Sequence, residues 1–277
     1  MKHLALLAFF LPIALNAADK PFTFPGLKQD IEFAKAGEVS LTLDAFVPEG
    51  GGPFATCILV HGGGFTKGDK HSFITPLFEP LAKAGFTWFT INYRLAPQHR
   101  WPACVEDVAS AIRWVKAHAA EYKVDVNRIA IIGESAGGHL VSWLGVTGVG
   151  DTRVAAVVPF YAPQDLVAHV KHRNELRGLG DLIGSHEMSE ANFANLAAMS
   201  PITQVKPGLP PFLQIHGDAD TTVAHEQSVL FEKAMKAAGN RCETITIPGG
   251  GHGMGGWAKL NSDYATRMID WLRVTLK

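Results

Sequence analysis

Gly133-Glu134-Ser135-Ala136-Gly137 sets a serine between two glycines, directly after the apolar run 129–132 and before helix-like sequence. A serine hydroxyl is a weak nucleophile unless a base stands beside it. A sharp strand-to-helix turn lifts Oγ above the edge of a sheet, and small flanking residues let the backbone fold that tightly. The pattern predicts Ser135 as the nucleophile of an acyl transfer. His61-Gly62-Gly63-Gly64-Phe65 follows a second apolar run, 55–60. Attack on an ester carbonyl develops negative charge on oxygen, which fixed N–H donors stabilise. A triple glycine brings such donors close with no side chains in the way. Gly63 and Gly64 are therefore the expected oxyanion-hole donors, joined by the N–H of Ala136.

A serine nucleophile needs a base, and the base needs a carboxylate that holds its tautomer and stabilises the imidazolium. His216-Gly217-Asp218-Ala219-Asp220 follows the run 211–215 and offers two aspartates. Asp220 sits further into the loop, where it can reach across the sheet edge, and is the expected triad member. Asp218, nearer the strand end, is expected to hydrogen-bond loop backbone. Gly249-Gly250-Gly251-His252-Gly253 follows the last strand-like run, so His252 completes the chain order Ser, Asp, His. Of the other histidines, His139 reads as packing, His61 and His216 as braces at strand ends, and His169 and His172 as cap or surface residues. Gly251 to Gly256 formally matches G-x-G-x-x-G, but a dinucleotide site needs a following strand and acidic residue, and only one helix remains. No phosphate-loop or HExxH zinc motif is present.

These motifs need a scaffold. Residues 39–47 alternate apolar and polar and read as a half-exposed strand. The runs 55–60, 86–91, 129–133, 154–160, 211–216 and 243–247 are continuously apolar, as suits strands covered on both faces of a parallel sheet. Helical patterns lie between them at about 72–84, 104–120, 136–147, 225–238 and 257–276. This alternation predicts an α/β fold with a mostly parallel, doubly wound sheet and right-handed crossovers. The stretch 161–208 is too long for a simple crossover and is expected to form a small cap of extra helices over the site. Residues 19–38 read as a mixed lead-in. The whole of 19–277 is expected to be one domain.

The 277 residues are 47% hydrophobic and 18% charged, with a net charge of −1. That balance gives no global field for nucleic acid or an anionic membrane. Residues 1–18 combine Lys2, an apolar run and a small-residue end at Asn16-Ala17-Ala18, the pattern of a secretory signal peptide. Export permits disulfides, but Cys57, Cys104 and Cys242 are odd in number, and Cys57 and Cys242 lie in strand-like runs where a free thiol packs as a small hydrophobe.

With HGGGF, GESAGG, the HGDAD loop and the final histidine placed, the sequence resembles the hormone-sensitive-lipase-like carboxylesterases. Within them it is most similar to the small bacterial feruloyl and acetyl-xylan esterases. Asn92 to Pro97 (NYRLAP) and Pro102 with Glu106-Asp107 extend the likeness, and Arg94 is expected to pair with a carboxylate such as Asp107. The resemblance implies the α/β-hydrolase fold and hydrolysis of a small-molecule or carbohydrate ester through an acyl-enzyme, with no cofactor or metal. Glu134 is expected to be structural. Phe65 and Trp257 are expected to line the substrate pocket, and Leu166, Leu179 and Leu182 fit either the pocket or the core. An amidase or peptidase of the kynurenine-formamidase type would use the same triad, and a non-catalytic binding protein would use the same fold. The HGGGF loop favours the esterase over the first, the complete triad over the second.

Overall fold

The computed structural model describes residues 23–260 and 263–277. The expected signal peptide, residues 1–18, lies outside them. The described residues form one sheet of eight strands: β1 (Lys28–Ala36), β2 (Val39–Phe46), β3 (Phe54–Val60), β4 (Thr87–Ile91), β5 (Val124–Glu134), β6 (Ala156–Phe160), β7 (Phe212–Gly217) and β8 (Cys242–Ile247). Their spatial order is β1-β2-β4-β3-β5-β6-β7-β8. β1 and β2 are antiparallel, as are β2 and β4, whereas every pair from β4 to β8 is parallel. This is the mostly parallel sheet of the α/β-hydrolase fold.

Side chains of a strand alternate between faces, so a continuous apolar run must feed two cores. In β3, Ile58 and Val60 join one cluster while Cys57 and Leu59 join the other; in β5, Ile129 and Ile131 part from Ala130 and Ile132 in the same way. The first cluster is closed by α2 (Ala103–Ala117), α3 (Ala136–Thr147) and α7 (Glu226–Ala237), the second by α1 (Phe78–Lys83) and α8 (Tyr264–Thr275). All three cysteines are buried and free.

Three local departures have physical causes. Residues 28–36 form β1 rather than a lead-in; it is an edge strand with only Phe33 buried, so it carries almost no apolar pattern. The expected helix at 72–84 is a loop and a 3₁₀ turn at Thr75–Leu77 before α1 begins. The C-terminal helical pattern opens with a 3₁₀ segment, Met254–Leu260, and α8 proper starts only at Tyr264.

The long stretch 161–208 contains α4 (Leu166–Arg173), α5 (Gly178–Ile183) and α6 (Glu190–Met199). Leu166 and Val170 root α4 in the core, and Asp165 caps it by accepting the Ala168 N–H at 2.9 Å. Arg94 pairs bidentately with the buried Asp107: Nη2 lies 2.7 Å from Oδ1 and Nε 2.9 Å from Oδ2. This ties the NYRLAP segment to α2. No described helix is long and apolar enough to cross a membrane.

Candidate active site

Ser135 is the single residue between β5 and α3. Its φ of +53° and ψ of −116° are far from any comfortable region for a non-glycine residue, a strain of about 1–3 kcal/mol. The neighbouring glycines make the turn possible. A Cβ on Gly133 would fall 2.3 Å from the Gly137 carbonyl oxygen, and one on Gly137 would fall 2.3 Å from the carbonyl oxygens of both Val60 and His61. The Ser135 N–H donates to Phe160 O at 3.0 Å, which pins the turn to β6.

The loops after β7 and β8 bring two more side chains to this point. His252 Nε2 lies 2.9 Å from Ser135 Oγ, and its Nδ1 lies 2.7 Å from Asp220 Oδ2. With Nδ1–H donating to the carboxylate, Nε2 is left free to accept the serine proton. Asp220 Oδ1 accepts the N–H groups of Thr222 and Val223, at 2.7 and 2.9 Å. His216 braces the same loop: its Nε2 donates to Val223 O at 3.0 Å and stands 3.4 Å from Asp220 Oδ2. Burial alone would raise the Asp220 carboxyl, but hydrogen bonds from His216 and His252 outweigh it and hold it well below the usual carboxylate range. Asp218 instead accepts the Gly249 N–H at 2.7 Å and joins the two loops. The Tyr161 ring meets the His252 imidazole edge-on, with centroids 4.7 Å apart.

The loop after β3 passes the serine on its other side. Gly63 and Gly64 have φ of +99° and +63°, conformations that glycine adopts without a Cβ penalty. Both line the cavity with Ala136, and among the described residues none of these three N–H groups meets a protein acceptor. They are therefore free for an oxygen brought by a substrate. Gly62 is held from behind, its N–H donating to Glu134 Oε1. Burial pushes the Glu134 carboxyl up to about 7, against the opposing pull of the Gly62 N–H, His252 and Tyr161.

Ser135 opens into a cavity of about 630 Å³, a size suited to a small organic ligand. Phe65 lines it, as does Leu179, while Leu166 and Leu182 are core residues. Trp257 does not line it. The 3₁₀ segment turns its indole inward, 1% exposed, against Phe160 and Tyr264, with Nε1 donating to Gly251 O at 2.9 Å. It supports the His252 loop from below, and Met254 of the same segment takes the place at the cavity wall.

The cavity also holds residues that the motifs do not reveal: Lys67, Phe73, His169, Arg173 and Arg177. His169 and Arg173 are one turn apart on α4, and that spacing could have put both on one face. Which face met the site was not legible, because Leu166 and Val170 alone define a short buried stripe. Burial drives the His169 imidazole down to about 4, helped by the nearby positive Arg173, so it is neutral at pH 7. The Arg173 guanidinium donates to Thr221 O and Thr222 O, at 3.1 and 2.9 Å, and to Glu175 Oε1. It clamps the loop that carries Asp220.

Ser135 Oγ, the His252 imidazole, the Asp220 carboxylate and the N–H groups of Gly63, Gly64 and Ala136 thus meet at one cavity. Residues 43–235 match the protein-family model BD-FAE. The chain is 36% identical over 189 residues to the probable carboxylic ester hydrolase LipM of Mycobacterium tuberculosis, covering 64% of this chain and 44% of that protein. It is 28% identical over 240 residues to an acetylxylan esterase of Xylanibacter ruminicola, covering 82% and 47%. The chain spans about half the length of the curated relatives it matches. Among solved structures, a truncated carbohydrate esterase from gut microbiota superimposes with a TM-score of 0.80 at 30% identity, covering 93% of this chain and 98% of that one.

Proposed function

The chain belongs to the BD-FAE family, and on that premise we propose that it is a serine carboxylesterase acting through Ser135, His252 and Asp220. The observation that carries this reading is the hydrogen-bonded relay from Ser135 Oγ through His252 to Asp220, at 2.9 and 2.7 Å. In the proposed cycle, His252 Nε2 takes the proton of Ser135 as Oγ attacks the acyl carbonyl. The oxyanion of the tetrahedral intermediate rests on the N–H groups of Gly63, Gly64 and Ala136. The C–O bond to the alcohol breaks as His252 returns the proton to it. His252 then deprotonates a water that attacks the acyl carbon, and the bond from Ser135 Oγ to the acyl group breaks as His252 returns the proton to Oγ, releasing the acid.

The substrate proposed is a short-acyl or hydroxycinnamoyl ester, carried by a small alcohol or by plant polysaccharide. The similarity to an acetylxylan esterase and to a carbohydrate esterase supports the carbohydrate side of this choice. The charge and apolar pattern of residues 1–18 supports export of the protein, which would bring it to extracellular polymer. N-terminal sequencing of the exported protein tests that step, and a mature chain still beginning at Met1 would refute it.

The deciding experiment is a rate panel with p-nitrophenyl acetate and butyrate, methyl ferulate, acetylated xylan and p-nitroacetanilide, using Ser135→Ala as control. Ester turnover well above anilide turnover, abolished in Ser135→Ala, is expected. Faster anilide cleavage would make the protein an amidase, and inertness toward all of these would make it a binding protein.

A further inference from the structure

Phe73 combines a left-handed backbone conformation with an exposed aromatic ring. The Ser72 carbonyl accepts the Ile74 N–H at 2.7 Å, closing a three-residue turn around Phe73, whose φ is +64°. Such a turn with a positive central φ is rare and strained, and a bulky residue there is an outlier. Asp69 and Ser72 brace the approach: Ser72 Oγ donates to Asp69 Oδ1 at 2.9 Å, and the Ser72 N–H to Asp69 O at 2.9 Å. Ile74, the next residue, is fully buried and anchors the far side. The turn thus holds a phenyl ring 54% exposed, with no aromatic partner among the described residues, at the wall of the cavity that contains Ser135.

Strain kept at a cavity wall points to use there. An exposed aromatic face has a use when a ligand covers it. The acyl carbon of any ester must sit at Ser135 Oγ, and the buried lining residues Phe65, Tyr161 and Leu179 give a short acyl group an apolar wall within the same cavity. An alcohol that belongs to a larger molecule has to leave through the open side, past residues that are themselves exposed. Phe73, Pro76 and Lys67 are exposed cavity residues, and Thr75 beside them is half-buried. A flat apolar ring that shares a cavity wall with the hydroxyl-bearing Thr75 and the ammonium-bearing Lys67 suits a pyranose, which offers a C–H face and a rim of hydroxyl groups.

We propose that Phe73 is the sugar platform of this site, stacking on a pyranose ring of the alcohol half of the ester. The proposal rests on the esterase reading for the placement of the acyl group, but the stacking itself can be measured without turnover. Titration of the full chain with xylotetraose, followed by calorimetry and ligand-observed NMR, is expected to give millimolar binding with saturation transfer to sugar ring protons. Phe73→Ala is expected to weaken it at least fivefold, and Phe73→Trp to retain or tighten it. Phe73→Gly is expected to weaken it as Phe73→Ala does while melting no lower than the wild type, because glycine adopts φ +64° freely. A structural Phe73 would give the reverse, a lower melting temperature with unchanged sugar affinity, and that result would overturn the proposal. So would absence of xylotetraose binding, or competition at Phe73 by ferulate and not by the sugar. Loss of ester hydrolysis in the wild type would refute the esterase reading alone, since the titration reads binding.

Discussion

Glu134 Oε1 accepts the backbone N–H of Gly62, so the residue before the serine holds the loop of the proposed oxyanion donors. A Cβ on Gly62 would fall 2.1 Å from that same oxygen, which explains why the first of the three glycines must be one. The hydroxyl of Tyr161, buried and without a partner of good geometry, lies beside the carboxyl.

The raised Glu134 carboxyl has a consequence for stability. Burial lifts it from 4.5 to about 7. Between those values the folded chain keeps a proton that the unfolded chain has lost, so stability falls as pH rises through the window and levels off above it. The full effect is on the order of 3 kcal/mol, from about 1.4 kcal/mol for each tenfold change. Glu134→Gln keeps an oxygen for the Gly62 N–H and removes the titration. Urea melts at pH 5 and pH 8 are expected to show a larger drop for the wild type than for Glu134→Gln. Equal drops would mean that Glu134 does not titrate there. Glu134→Ala also strands the Gly62 N–H, at a cost of about 1–3 kcal/mol, and is expected to lower kcat where Glu134→Gln largely preserves it.

Arg173 reaches from α4 to Thr221 O and Thr222 O, next to Asp220. Its planar fork cannot be copied by lysine. Arg173→Lys is expected to lower kcat for p-nitrophenyl acetate about tenfold, the effect of ~1.4 kcal/mol of lost positioning in the transition state. Secondary structure by circular dichroism should be unchanged. A change confined to KM would show instead that Arg173 contacts substrate and does not act through Asp220.

The Arg94–Asp107 pair is structural, and its effect should appear in melting rather than in rate. Asp107 is 3% exposed on its side chain and Arg94 17%. Arg94→Ala leaves the buried carboxylate with the backbone N–H of residue 94 but without its counter-charge, a loss of about 3 kcal/mol, which for a chain of this size lowers the melting temperature by roughly 10 °C. Arg94→Met combined with Asp107→Leu, which removes both charges, is expected to recover much of it. A melting temperature for Arg94→Ala equal to the wild type would show that the pair contributes nothing.

How much of this was legible in the sequence depended on whether a residue's position is set by a motif or by packing. The parallel strands announced themselves where both their faces are buried, so most of β3 and residues 129–133 of β5 read as apolar runs, while the partly exposed start of β5 at Asp125, Asn127 and Arg128 does not. The edge strand β1 buries only Phe33 and gave no such signal. Ser135, Asp220 and His252 each lie at a strand end or in the loop after it, where strand order alone brings loops together. Trp257 misled for the converse reason. Nearness to His252 in the chain suggested the pocket, but the 3₁₀ segment rotates the indole into the core. His169, Arg173 and Phe73 lie on a short helix and in a strained turn, where neither period nor motif says which way a side chain points.

The glycines of the loop after β3 allow a test of geometry against chemistry. Gly63 and Gly64 are both proposed as oxyanion donors, and both have positive φ; alanine at 64, with φ +63° inside the left-handed region, bears a backbone strain of about 1 kcal/mol, and alanine at 63, with φ +99° outside it, bears more. Their surroundings differ. A Cβ on Gly63 would fall 2.0 Å from the Lys67 carbonyl oxygen, a backbone atom that cannot swing aside, whereas one on Gly64 meets nothing within 4 Å. Gly63→Ala must therefore displace the loop and its N–H. Loss of one such donor costs a factor of about 10²–10³ in kcat, and that loss is expected for ester hydrolysis by Gly63→Ala. Gly64→Ala keeps its N–H in place, so it is expected to hold kcat within about tenfold of wild type and to lose about 1 kcal/mol of stability. If instead Gly64→Ala were the more damaging in kcat with its melting curve intact, the close approach at Gly64 would belong to the substrate. The oxyanion contact would then have to be reassigned along the loop.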